Sequence, residues 1–178
     1  EIEYHDHIST TIFARFPVVK TSLDIISDFE IIIWTTTPWT MPGNRAVAYG
    51  KDIDYSLIEV TKVGENSLAK IGDKIIIAKE LVEDVMKEIS VLSFNSSNIL
   101  KGSDFAGTVL AHPLNNNGYE HEVLLLEADF VTTDQGTGFV HIAPGHGADD
   151  FELGRQNNLP IPETVSDNGI LNSDLPLL

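Results

Sequence analysis

Short runs of β-branched and aromatic residues alternate with polar turns along almost the whole chain. The first, Thr11 to Val19 (TIFARFPVV), carries Pro17, which lacks a backbone donor and so predicts an edge strand or a bulge. Phe29 to Trp34, Ala46 to Tyr49, Tyr55 to Val60 and Lys74 to Ala78 follow as strand candidates. Gly107 to Ala111, Glu122 to Leu126 and Gly138 to Ile142 complete the set. Turn residues separate most of them, as in Asn115-Asn116-Asn117-Gly118 and Asp134-Gln135-Gly136.

Two segments change period. Lys79 to Ser90 brings Leu81, Val82, Val85, Met86 and Ile89 to one face, which predicts an amphipathic helix packed on a sheet. Ala148 to about Asn157 opens with Asp149 and Asp150, and acids in a first turn suit the helix dipole. Many strands and two helices predict a β-rich α+β fold: a curved or closed β-barrel core with a few peripheral helices. No repeat, low-complexity stretch or internal linker divides the chain, so 1–178 is expected to form one domain. Its ends, 1–10 and 165–178, read as connecting segments of a longer chain.

Composition narrows the partners. With 11 basic against 27 acidic residues the formal charge is -16. A domain that grips nucleic acid alone needs a basic surface, so any polyanion must be held largely elsewhere. The 178 residues include no cysteine, which removes thiolate nucleophiles, thiolate metal sites and disulfides. No run approaches the roughly 20 apolar residues of a membrane span. A cytoplasmic monomer with no membrane partner is the expectation.

Two stretches carry candidate chemistry. Trp34-Thr35-Thr36-Thr37-Pro38-Trp39-Thr40 follows an apolar run, and Pro38 should unravel the strand there and expose hydroxyls and amides. Such groups can orient a water or donate to an oxyanion. A threonine without a base beside it is a poor nucleophile. Strand propensity alone would also account for the three threonines. The second stretch runs from Gly136 to Asp150 (GTGFVHIAPGHGADD) as turn, strand, glycine-rich loop and helix start. It lacks the Gly-Lys-Ser/Thr ending of a P-loop. A tight strand-to-helix connection would equally explain its glycines. His141, His146, Asp149 and Asp150 could ligate a metal by residue type, but their spacing matches no common zinc pattern. The same holds for His5-Asp6-His7, so no metal and no cofactor is assigned. No Gly-x-Ser-x-Gly elbow is present. A carboxylate that holds an ammonium by charge-assisted hydrogen bonds is a further option. Asp149 and Asp150, adjacent on a helix, point about 100° apart, so one can enter a pocket while the other faces solvent.

Together, WTTTPWT followed by Pro42-Gly-Asn-Arg-Ala46, and later GTGFVHIAPGHGADDF, resemble the inserted editing domain of isoleucyl-tRNA synthetases, class I enzymes. The likeness extends to Tyr4–Phe16, Glu122–Asp129 and the Asp167-Asn-Gly169 turn. Valyl and leucyl relatives typically show Thr-Thr-Arg-Pro at the strip, so Trp34 and Thr37 point to the isoleucyl type. The HIGH and KMSKS signatures of the synthetic site are absent, which implies no aminoacylation by these residues. The resemblance implies hydrolysis of the ester in misacylated valyl-tRNA for isoleucine, in a pocket that excludes isoleucine. It implies that Asp150 binds the substrate's α-ammonium and that His141 helps exclude isoleucine. Thr35, Thr36 and Thr37 would line the scissile ester and the attacking water. Trp34 and Asn44 are second-tier candidates, and Gly145, His146 and Gly147 would shape the pocket mouth. The implied partners are the 3′ aminoacyl end of isoleucine tRNA, its valine moiety and the rest of a synthetase. A catalytically silent aminoacyl- or nucleotide-binding module and a metal-dependent hydrolase are the competing readings.

Overall fold

The computed structural model describes residues 10–176. Nine strands form one mixed sheet: β1 (Ile12–Lys20), β2 (Glu30–Thr35), β3 (Ala46–Tyr49), β4 (Asp54–Val63), β5 (Lys74–Ala78), β6 (Val91–Lys101), β7 (Val109–Ala111), β8 (Glu122–Glu127) and β9 (Phe139–Ile142). Their order is β6-β4-β5-β2-β1-β7-β8-β3-β9. Two helices accompany them, α1 (Val82–Glu88) and α2 (Ala148–Gln156). Residues 79–81 form a 3₁₀ turn leading into α1, so the predicted helix is shorter than its apolar periodicity.

The apolar runs sort by position in the sheet. β2 and β5 are parallel neighbours in its interior, and Ile31, Ile32, Ile33, Ile75, Ile76 and Ile77 are all buried. Strands covered on both faces carry continuous apolar runs rather than alternation. α1 buries Val82, Val85 and Met86 in the same core. On β3 the faces separate: Val47 and Tyr49 join the main core, while Ala46 and Ala48 face a second cluster with Ile142 and Leu153 of α2. Small alanines let α2 sit close, and Gly154 meets Pro144, where an added Cβ would lie 2.9 Å from its ring.

The expected closure into a barrel does not occur. β9 ends one side of the ladder and β6 the other, and they do not pair. The sheet curls instead, and the lead-in to β9 is pinned on the opposite wall by isolated contacts. The Ala78 N–H donates to the Thr137 carbonyl at 2.9 Å, and the Tyr55 hydroxyl to the Gly138 carbonyl at 2.7 Å. Gly138 has φ +79°, and a Cβ there would lie 2.2 Å from the Ala78 Cβ. Backbones this close are pinned through point contacts, without a continuous ladder.

Of the two expectations for Pro17, edge or bulge, the edge is excluded because β1 lies inside the sheet, and the irregularity is found just beyond the proline. Residues 12–17 pair with β2, while Val18 and Lys20 pair with β7 across a register shift. Pro17 sits at that changeover, where a missing donor costs little. β6, an edge strand, lies where no strand was predicted.

Candidate functional site

The threonine strip leaves the sheet where predicted. β2 ends at Thr35, and Pro38–Gly43 form a 3₁₀ turn that starts on proline. The three hydroxyls then diverge: Thr35 is buried, Thr36 exposed and Thr37 half-buried. Thr35 Oγ1 accepts the Thr37 N–H at 3.1 Å and lies 3.2 Å from Thr37 Oγ1. Thr37 Oγ1 lies 3.4 Å from Thr40 Oγ1, and the Thr40 hydroxyl donates to the Thr37 carbonyl at 2.8 Å.

His141 closes this chain from the other side of the sequence. On β9 it pairs opposite Val47, so its ring takes the inward face, while Ile142 faces α2. Its Nε2 is 2.9 Å from Thr40 Oγ1, and its Nδ1 is 2.7 Å from Asn44 Nδ2. The surroundings of Asn44 assign the tautomer. Three acceptors surround its nitrogen: the Ala46 carbonyl at 2.8 Å, the Ile142 carbonyl at 3.4 Å and His141 Nδ1. The Asn44 amide must therefore present its NH₂ there, and His141 Nδ1 accepts. Nε2 then carries the proton and donates to Thr40, whose own proton goes to the Thr37 carbonyl. Burial, with the nearby His112 and His146, lowers the His141 pKa to about 4, so the ring is neutral at physiological pH.

Asp150 occupies the start of α2, and its Oδ2 accepts the Ala143 N–H at 2.7 Å, two residues beyond His141. Oδ1 faces Gly147, where an added Cβ would lie 3.2 Å away. The carboxylate is half-buried, and burial above all raises its pKa, against the Ala143 N–H that lowers it. No ion pair among the described residues includes it. Asp149 points away, into a shallow cleft lined by Glu127, Asp129 and Glu152. The two adjacent acids thus divide as the helical geometry requires.

The remaining candidates surround these groups. Trp34, Thr35 and Thr36 line a cavity of about 240 Å³ together with Phe130, Thr132 and Gln135. The Trp34 indole N–H is buried without a partner among the described residues. Gly145, His146 and Gly147 are exposed, and His146 Nε2 lies 2.6 Å from Thr164 Oγ1. The ring of His146 also covers Gly43, where a Cβ would sit 3.1 Å from it. His141, Asn44, Thr35 and Thr37 therefore form one network. No hydrogen bond among the described residues links Asp150 to it. Thr40 is the member that sequence reasoning missed, although it closes the WTTTPWT stretch itself. No group of three or more His, Asp or Glu among the described residues is arranged to hold a metal, and His5, Asp6 and His7 lie outside those residues.

The sequence and the curled sheet both have counterparts among known proteins. Residues 55–174 match the family described as "Leucyl-tRNA synthetase, editing domain", and the chain belongs to this family of class I synthetase editing domains. Its curated relatives include isoleucine–tRNA ligases. That of Gluconobacter oxydans is 47% identical over 171 residues, covering 95% of this chain and 18% of the relative. That of Caulobacter vibrioides is 49% identical over 176 residues, covering 95% and 18%. The chain thus spans under a fifth of their length. Among solved structures, the P. knowlesi cytosolic leucyl-tRNA synthetase editing domain superposes with a TM-score of 0.61 at 13% identity, covering 83% of this chain and 62% of that one. The structure described as GlLeuRS-CP1 gives 0.58 at 20% identity, covering 72% and 44%. At those identities the likeness bears on the fold alone.

Proposed function

We propose that this domain, residues 1–178, is the post-transfer editing unit of a cytoplasmic isoleucyl-tRNA synthetase and hydrolyses the ester of valyl-tRNA for isoleucine. The observation that carries this reading is the neutral His141 ring, fixed by Asn44 and Thr40 beside the threonine strip. A ring held at both nitrogens is a rigid wall, and a rigid wall is what measuring one methylene requires. A synthetic pocket that fits isoleucine gains only about 1–3 kcal/mol against valine, so a second sieve that admits only the smaller side chain is needed.

Asp150 supplies the anchor. One oxygen is held by the Ala143 N–H, and among the described residues the half-buried group has no cation paired with it. A carboxylate in that state is stabilised by an incoming ammonium. With the amine held there and the side chain against His141, the ester carbonyl reaches the strip of Thr35, Thr36 and Thr37. Water adds to the carbonyl carbon, and hydroxyls and amides of the strip stabilise the oxyanion. The tetrahedral species collapses, and the departing ribose oxygen takes up the proton. Valine and the free tRNA end are released. His141 is not the base, because its Nδ1 accepts from Asn44 and its Nε2 already carries a proton.

The exposed Gly145, His146 and Gly147 form the rim of this pocket, and Trp34 its back. With a charge of -16 the domain takes only the single-stranded 3′ end, and the remainder of the synthetase holds the tRNA body. Deacylation of valyl- and isoleucyl-tRNA, with and without chelator, tests the reading. Hydrolysis of the valyl ester that survives chelator supports it. Loss with chelator supports a metal-dependent hydrolase, and no hydrolysis in the isolated chain or the intact synthetase supports a silent binding module.

A further inference from the structure

Asn44 fixes His141, but the turn that carries Asn44 is itself held from behind by two imidazoles outside the site. His112, one residue past β7, is 1% exposed. Its Nδ1 accepts the Leu114 N–H at 3.0 Å, which leaves Nε2 protonated to donate to the Met41 carbonyl at 3.0 Å. That same carbonyl accepts the Asn44 N–H at 3.0 Å. His121, one residue before β8, donates from Nε2 to the Asn44 carbonyl at 3.0 Å. The two rings lie 5.3 Å apart, and Tyr119 stacks on His112 at 4.9 Å. Arg45 completes the clamp by donating to the Pro42 and Asn44 carbonyls.

We infer that His112 is a positioning residue for side-chain discrimination, with His121 as its outer companion. It acts through the Met41–Asn44 turn on the ring of His141. The physical reason is the sharing of acceptors. The Met41 carbonyl has two lone pairs, and both are used, one by His112 and one by Asn44. Remove His112 and the turn keeps its internal bond but loses one of its two anchors to the β7–β8 connection, with only His121 left to hold the Asn44 carbonyl from there. Asn44 can then shift, and the short bond from its NH₂ to His141 Nδ1 lengthens. A shift of a few tenths of an ångström at His141 matters because the groups being distinguished differ by one methylene. Phe16 stands edge-on to the His112 ring at 6.2 Å, so the ring also has an ordinary packing role that the test must separate.

This inference rests on the editing reading, and its experiment distinguishes the two. His112→Phe keeps an aromatic ring against Tyr119 and Phe16 but removes both hydrogen bonds. His112→Gln keeps an N–H donor near the position of Nε2. Valyl- and isoleucyl-tRNA deacylation are measured for both beside the unsubstituted chain, on protein verified as folded by circular dichroism. Expected is a fall of about ten-fold or more in the valyl-to-isoleucyl ratio for His112→Phe, mostly through faster isoleucyl hydrolysis, with the ratio largely retained in His112→Gln. In parallel, long-range ¹⁵N–¹H spectra report the His141 tautomer without any reaction. The Nε2–H form should dominate in the unsubstituted chain and mix with the other tautomer in His112→Phe. Where His112→Phe does not fold, His121→Phe serves in its place, with a smaller loss in the same direction. An unchanged ratio and tautomer in the folded Phe variants overturn the inference, as does an equal loss in His112→Gln. An unsubstituted chain that does not prefer the valyl ester overturns the editing reading instead.

Discussion

Asn44 Nδ2 lies 2.7 Å from His141 Nδ1, and this bond joins residues 97 apart in the chain. It decides the tautomer of the histidine, and through Thr40 it orders the hydroxyls of the strip. Asn44→Ala removes the donor and leaves His141 Nδ1 and the Ala46 carbonyl buried without it. A loss of about 2–3 kcal/mol of stability is expected, read by urea unfolding at constant slope. The His141 ring should then sample both tautomers.

His141→Ala should enlarge the proposed side-chain pocket. Isoleucyl-tRNA should become a substrate while valyl-tRNA hydrolysis persists, as measured by deacylation of both esters. Thr40→Val keeps the volume and removes the acceptor for His141 Nε2–H. It should weaken discrimination less than His141→Ala does, because the ring remains in place.

Asp150→Ala and Asp149→Ala should differ sharply. The first removes the proposed ammonium anchor, and most valyl-tRNA deacylation should be lost. It also leaves the Ala143 N–H unpaired, at a cost of about 1 kcal/mol. The second changes only the exposed acid in the neighbouring cleft and should leave activity near the original. A lethal Asp149→Ala beside a silent Asp150→Ala would reverse the assignment.

Acid should destabilise the fold through two histidines. Burial lowers the pKa of both His141 and His112 to about 4, against about 6.5 in an unfolded chain. The folded state therefore binds fewer protons than the unfolded one between those values. Their contribution is full above pH 6.5, declines as pH falls and is lost below about 4. Each is worth up to about 3 kcal/mol, so the urea midpoint should drop steeply across that window. Asp150, whose pKa burial raises, works in the opposite sense and offsets part of the loss.

Gly138→Ala tests the point contacts that hold the curled sheet. The φ of +79° and the 2.2 Å approach to the Ala78 Cβ leave no room for a side chain. A loss of more than about 2 kcal/mol is expected, with the Tyr55 hydroxyl contact disturbed first.

Much of this architecture was legible because packing and local pattern agree. β3 and β5 start and end where predicted, since both lie between neighbours and bury all their residues but Lys74, which opens β5. β6 was hidden because its central Asn95-Ser96-Ser97-Asn98 neither alternates nor buries. Its backbone pairing with β4 holds it in place, and no local pattern records a partner strand. Closure of the sheet was similarly beyond local reading, because strand count does not reveal whether the last ladder forms. At the site, the divergence of Asp149 from Asp150 was readable from helical geometry, whereas the roles given to the site residues came from the family resemblance alone. Thr40 was not, because its partner His141 stands 101 residues away and only the curl of the sheet brings them together.

The most direct measurement is a crystal structure with a non-hydrolysable valyl-adenosine analogue. The amine should lie within hydrogen-bond reach of Asp150, the isopropyl group against His141, and the ester mimic along Thr35, Thr36 and Thr37. An amine bound far from Asp150, or a threonine strip left untouched by the ligand, would contradict the proposed chemistry.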